Sequence, residues 1–178
     1  MKAFVIACAV GLGLATGIAG AGELTGFVYN SKTDLFGYYI PDPGRAITIG
    51  GRFQFRDLAI GAQEDFAKFK PGDPKATYAP VMLEFDDTKS PKKVNEMGNT
   101  YYENSPRVLP AAFRISGSDV AFSGNDRQLG RVTFAGKLDL AALKAAHDEQ
   151  PNGVVLRGDL SVGGRTFTNV AFTWFGGD

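Results

Sequence analysis

Two adjacent tyrosines, Tyr101 and Tyr102, stand beside Asn99, Glu103 and Asn104 in a largely polar stretch from Asp86 to Pro106. Aromatic faces flanked by amide and carboxylate groups can hold a sugar or a peptide by stacking and hydrogen bonding. The competing role is structural, since tyrosines on an edge strand commonly cover a sheet. Just before and at the start of the same stretch Glu84, Asp86 and Asp87 cluster, with Glu96 and Glu103 within it. Carboxylates could serve a hard cation, but calcium asks for about six to eight oxygens and no EF-hand spacing is present. They could also form a glycosidase-type acid pair, which depends on a separation that sequence does not show. The candidate ligand-binding residues are therefore Tyr101, Tyr102, Asn99, Asp86 and Asp87. No catalytic residue, metal ligand or cofactor is assigned.

Other chemistries are short of residues. The chain has one histidine, His147, and one cysteine, Cys8. A single imidazole rules out histidine-rich zinc or copper sites, and no Gly-x-Ser-x-Gly elbow accompanies it. Cys8 lies in Met1 to Ala21, where Lys2 precedes an apolar run from Ala3 to Ile18 and Ala19-Gly20-Ala21 supplies a small-x-small cleavage pattern. That is the layout of an export signal. Residues 1–21 are expected to be removed, leaving 22–178 as a single domain without a thiol, periplasmic or secreted, with no integral membrane segment. The 19 basic and 19 acidic residues are interspersed rather than blocked, so no electrostatic footprint for nucleic acid is present.

The elements that must position the candidate residues read as short strands. Ile47, Ile49, Phe53 and Phe55 share one parity, as do Val132, Phe134, Gly136 and Leu138, and Leu156, Gly158, Leu160 and Val162. A period of two marks half-buried strands, so Ile47 to Phe55 is expected to be one. Gly163-Gly164 is expected to turn Leu156–Val162 into Thr166–Phe175, and Ser116 to Asp119 to turn Phe113–Ile115 into Val120–Phe122. Further punctuation falls at Asp42-Pro43-Gly44, Pro71-Gly72-Asp73-Pro74, Gly124-Asn125-Asp126 and Pro151-Asn152-Gly153. One helix is expected over 139–147, capped by Asp139 and carrying His147 in its last turn, and a shorter helical turn over Gln63 to Phe69. Val170, Phe172 and Trp174 share a parity that points into the core.

The fold expected is all-β: an antiparallel β-sandwich of jelly-roll type or, as the alternative, a closed β-barrel. Val81 to Phe85 should be a core strand feeding the stretch from Asp86 to Pro106, read as a long loop with an edge strand as an option over Asn99 to Glu103. Loops of that length in compact domains are usually functional or disordered. Arg157-Gly158-Asp159 falls inside a strand, where an adhesion tripeptide would not be displayed. The run from Leu156 to Phe172, LRGDLSVGGRTFTNVAF, resembles the penultimate hairpin of the YceI-like periplasmic barrels, a resemblance confined to that hairpin. It implies a barrel carrying a hydrophobic small molecule, a reading that 14 phenylalanines also suit. The leading expectation is an exported binding module that recognises a saccharide or a protein through 86–106. The alternatives are the lipocalin- or YceI-like carrier and a carboxylate-dependent hydrolase using Glu84, Asp86 and Asp87.

Overall fold

The computed structural model describes residues 23–73, 75–150 and 153–177. The expected export signal, with Cys8 inside it, lies outside the described residues, as do Pro74 and the Pro151-Asn152 part of one expected turn. The fold is all-β, with strands β1 (Phe27–Asn30), β2 (Gly37–Pro41), β3 (Thr48–Ile49), β4 (Phe53–Ile60), β5 (Val81–Asp87), β6 (Lys92–Val94), β7 (Thr100–Tyr102), β8 (Arg107–Val108), β9 (Pro110–Ser116), β10 (Asp119–Asp126), β11 (Gly130–Leu138), β12 (Leu156–Val162) and β13 (Arg165–Phe175), and two helices, α1 (Gln63–Lys68) and α2 (Leu140–His147).

The main sheet runs β1-β9-β10-β11-β12-β13-β2-β4-β5-β8, with β3 on β4, while β6 and β7 form a separate hairpin. Pairing is antiparallel throughout except between β1 and β9, which run parallel. β8 ladders to β5 and β9 to β10, yet only Leu109 separates them. The sheet therefore curls until its two flanks meet on one stretch of chain.

One apolar cluster fills the inside of that curl, with Tyr39, Phe55, Phe85, Phe122, Phe134 and Phe172 among its largest buried side chains. Phe134 shows how tightly. Gly136 and Gly158 face each other across β11 and β12, and a Cβ on either would lie 2.6 Å from the Phe134 ring. The ring occupies the space two side chains would have taken, and packs edge-on against Phe172 with centroids 5.5 Å apart.

The expected hairpins β9–β10 and β12–β13 are present, and so is the expected helix. The Asp139 carboxylate accepts from the backbone N–H groups of Ala141 and Ala142, and α2 buries Leu143 and Ala146. α1 covers the β1 edge, with Phe66 stacked on Tyr29 at 3.8 Å between centroids. Trp174 is half-buried and packs against the core.

Two expectations need correction. Ile47 to Phe55 is a hairpin rather than one strand: Gly50 and Gly51 sit at φ 58° and 63°, in the left-handed region that glycine reaches without strain, and β3 pairs with β4 around the three-residue connection from Gly50 to Arg52. Three intervening residues leave Ile49 and Phe53 four positions apart and directly opposite each other, so one parity stays on one face and the alternation reads through unbroken. The second correction concerns 86–106. Asp86 and Asp87 belong to β5, and β6 and β7 pair as Lys92 with Tyr102, Lys93 with Tyr101 and Val94 with Thr100. On the way back the backbone N–H groups of Phe85 and Asp87 donate to the carbonyls of Pro106 and Asn104. The stretch is an ordered β-ribbon rooted in the sheet, and the option of a strand near Asn99 to Glu103 is realised by β7.

Candidate functional site

The chemistry gathers on the outer face of β4 and β5, and a single backbone irregularity explains why. Phe55 pairs with Phe85 and Asp57 with Glu84, so Arg56 is an extra residue in β4. Such a bulge shifts the alternation by one. Phe53 and Phe55 point inward before it, Leu58 and Ile60 after it, and Arg56 and Asp57 are both left on the outer face. Glu84 and Asp86 reach the same face from β5, and Arg107 from β8.

Arg56 is the hub. Its Nε donates to Asp57 Oδ2 at 2.9 Å, one terminal nitrogen bonds Glu84 Oε2, and the other lies 3.6 Å from Asp86 Oδ1. Arg107 Nε pairs with the remaining Glu84 oxygen at 3.2 Å. Asp57 is 5% exposed and Glu84 3%, whereas the side chains of Arg56 and Arg107 are 39% and 52% exposed. The carboxylates thus form a buried layer beneath two half-exposed guanidinium groups.

Above this layer opens a groove of about 550 Å³. Tyr101, Tyr102, Glu103 and Ser105 wall one side, Ala76 and Thr77 the other, and Arg56, Arg107 and Leu109 line the rest. A smaller depression of about 120 Å³ adjoins it, lined in part by Tyr38, Tyr78 and Met82 and sharing Arg107. Tyr78 donates to Asp65 Oδ2 at 3.0 Å, and burial together with that carboxylate raises its hydroxyl to about 12.

The structure separates the five candidate residues into two groups. Tyr101 and Tyr102 line the groove, and Tyr102 also lies under Lys92 Nζ, 5.2 Å from its ring centroid. Asp86 does not line the groove itself but touches two residues that do, accepting from Ser105 Oγ at 3.0 Å and lying 3.6 Å from Arg56. Asp87, its neighbour in a strand, faces the other way. It is 2% exposed and is held by Arg52 through two bonds of 2.9 and 2.5 Å and by the Lys89 N–H; the Arg52 bonds hold its carboxyl below the usual range. Asn99 closes the β6–β7 turn, where its N–H donates to Asn95 Oδ1, and does not line the groove. Alternation along β5 thus prevents Asp86 and Asp87 from converging on one ion, and no group of three or more His, Asp or Glu side chains is arranged to hold a metal among the described residues.

No family model, curated protein or solved structure matches this chain. The groove has to be interpreted from its own residues. Arg56, Arg107, Ser105 and Thr77 did not emerge from the sequence reading. The available signal was Arg56-Asp57 interrupting an otherwise apolar run that resumes at Leu58, a break that a bulge on an outer face resolves. His147 does not line the groove; its ring lies 4.3 Å from that of Trp174 at the end of α2.

Asp57 carries a measurable consequence. Its Oδ1 has no hydrogen-bond partner, and burial, opposed by Arg56, raises its pKa above 3.8. The folded state then binds this proton more tightly than the unfolded chain does. The cost of the charged form is absent below pH 3.8, grows as pH rises through the elevated folded value, and is complete above it. Asp57→Asn, which keeps an oxygen for Arg56 and removes the charge, should gain stability relative to the parent as pH rises from 3 to 7. Urea melts across that range test this; a difference that is flat or shrinks with pH contradicts it.

Proposed function

We propose that this chain is an exported binding module, periplasmic or secreted, whose ligand lies in the groove between the β6–β7 hairpin and the segment around Thr77. The observation that carries the reading is the contrast between the two sides of the sheet. Inside, aromatic and aliphatic side chains fill the curl. Outside, an open groove places two tyrosines beside two half-exposed arginines. Rigid sheets that project short segments around a concave surface are the usual platform for recognition.

The carrier alternative asks for apolar space left empty within the sheet, and Phe134 laid over the Gly136 and Gly158 pair is a side chain spent on filling it. The hydrolase alternative asks for a carboxyl free to exchange a proton with substrate, and both oxygens of Glu84 are engaged by arginines. Both observations favour recognition at the outer face.

The test is a glycan array and a pull-down from the native host, followed by a double variant, Tyr101→Ala with Tyr102→Ala. Loss of two ring contacts, each worth about 0.5–1.5 kcal/mol, should weaken whatever ligand is found by about tenfold or more. The thermal midpoint should hardly move, because Tyr101 is 46% exposed and the hairpin stands off the main sheet. Undiminished binding by a folded double variant would remove the groove as the site.

A further inference from the structure

We infer that Arg107 is an anion receptor and that the groove takes an acidic saccharide, with a sugar carboxylate on the guanidinium and sugar rings against Tyr101 and Tyr102. The inference rests on the binding reading above and names its ligand class. Arg107 engages the protein through Nε alone, 3.2 Å from Glu84 Oε1. Its two terminal nitrogens have no partner among the described residues. Glu84 is buried and its other oxygen is taken by Arg56, so the carboxylate cannot swing outward. The guanidinium is thereby pinned along one edge and presents the other. That free edge has the planar spacing that receives a carboxylate through two parallel hydrogen bonds.

Glu84 is the one carboxylate among the described residues that meets Arg107. Asp57, Glu84 and Asp86 all contact Arg56, and Glu103 in the groove wall is paired with Lys93 at 2.5 Å. Arg107 also lines both depressions. An anion seated there would have Tyr101 and Tyr102 on one side and Tyr78 on the other. The rest of the lining favours a sugar over a peptide. Among the described residues Ala76 and Leu109 are the only aliphatic ones lining the groove, too little to bury an apolar side chain. Tyrosine faces suit the apolar face of a pyranose, and the Thr77 and Ser105 hydroxyls suit its rim.

Isothermal titration of the purified protein with tetragalacturonate, tetramannuronate, their full methyl esters and tetraglutamate tests the assignment. At least one acidic tetrasaccharide should bind about tenfold or more tighter than its uncharged ester, the margin of a charge-assisted pair. Arg107→Gln should abolish that margin, and Arg107→Lys, which keeps the charge but not the fork, should restore part of it. Both variants should stay folded, with Arg107→Gln melting below the parent because Glu84 keeps only Arg56. Failure of both acidic tetrasaccharides to bind overturns the inference, as does a margin that survives in Arg107→Gln or tetraglutamate binding as tightly as the sugars. Acid and ester bound equally, and both weakened by the tyrosine double variant, would remove Arg107 while leaving the groove as a binding site. Full binding by the tyrosine double variant would remove the groove itself.

Discussion

Arg56→Ala should lower the free energy of unfolding by about 3 kcal/mol at pH 7, far more than a half-exposed arginine ordinarily costs. The reason lies in what it leaves behind. Asp57 and Glu84 face each other directly across β4 and β5, both almost wholly buried, and Arg56 is the cation bound to both. Like charges opposite each other in a ladder repel, and a buried ion without its partner carries a desolvation cost that the pairing had offset. In the variant the Asp57 carboxyl, already raised by burial, loses the guanidinium that opposed the rise. Its cost is then complete above that raised value and absent below the unfolded one, so the deficit should shrink at pH 3.5. Urea melts of parent and variant at the two pH values provide the check. A deficit under about 1 kcal/mol at pH 7, the range of ordinary surface pairs, would show that Arg56 is not the hub of this layer.

Gly158→Ala is expected to destabilise by about 2–3 kcal/mol although it adds one methyl group. An added Cβ would lie 2.6 Å from the Ala135 carbonyl oxygen, 2.6 Å from the Phe134 ring and 2.7 Å from the Gly136 Cα. The ring could rotate away only by opening the core it fills, and the two backbone atoms belong to the neighbouring strand of the same ladder. Phe134→Leu in the same background should recover a minor part, because it relieves the ring contact and leaves the carbonyl where it is. Chemical denaturation of the two single variants and the double variant measures that coupling. A Gly158→Ala protein within 0.5 kcal/mol of the parent, the scale of a neutral surface change, would refute the close approach. The same geometry accounts for the Arg157-Gly158-Asp159 tripeptide: its glycine serves the contact between β11 and β12.

Several elements were legible in the residues because their causes are local. The Asp139 cap, the glycine turns at 117 and 163–164 and the alternation of β11 and β12 each depend on neighbours a few positions away. Tyr101, Tyr102 and Asp86 were marked as candidates by type and proximity in sequence, and the fold brings the two tyrosines to one groove and sets Asp86 against its Arg56 and Ser105. Asp87 and Asn99 were marked on the same grounds, and the fold places them elsewhere, since adjacency along a strand sends neighbours to opposite faces. The hairpin at Gly50-Gly51 went unread because its three-residue connection leaves parity intact. Of the ribbon, β7 was read as an option over Asn99 to Glu103 and β6 went unread, because both strands are short and polar and the ribbon's order comes from hydrogen bonds to β5.

Sequence alone determined an all-β chain with two hairpins and a capped helix, and it marked carboxylates and tyrosines as candidate groups. Tertiary structure decided which of those groups meet. The bulge at Arg56 turned two consecutive residues to one face, and pairing of β5 with β4 and β8 set Glu84 between two arginines. The break at Arg56-Asp57 is the one local trace of the first event and does not set the register, because the shift is chosen by the packing of Leu58 and Ile60 into a core assembled from the whole chain.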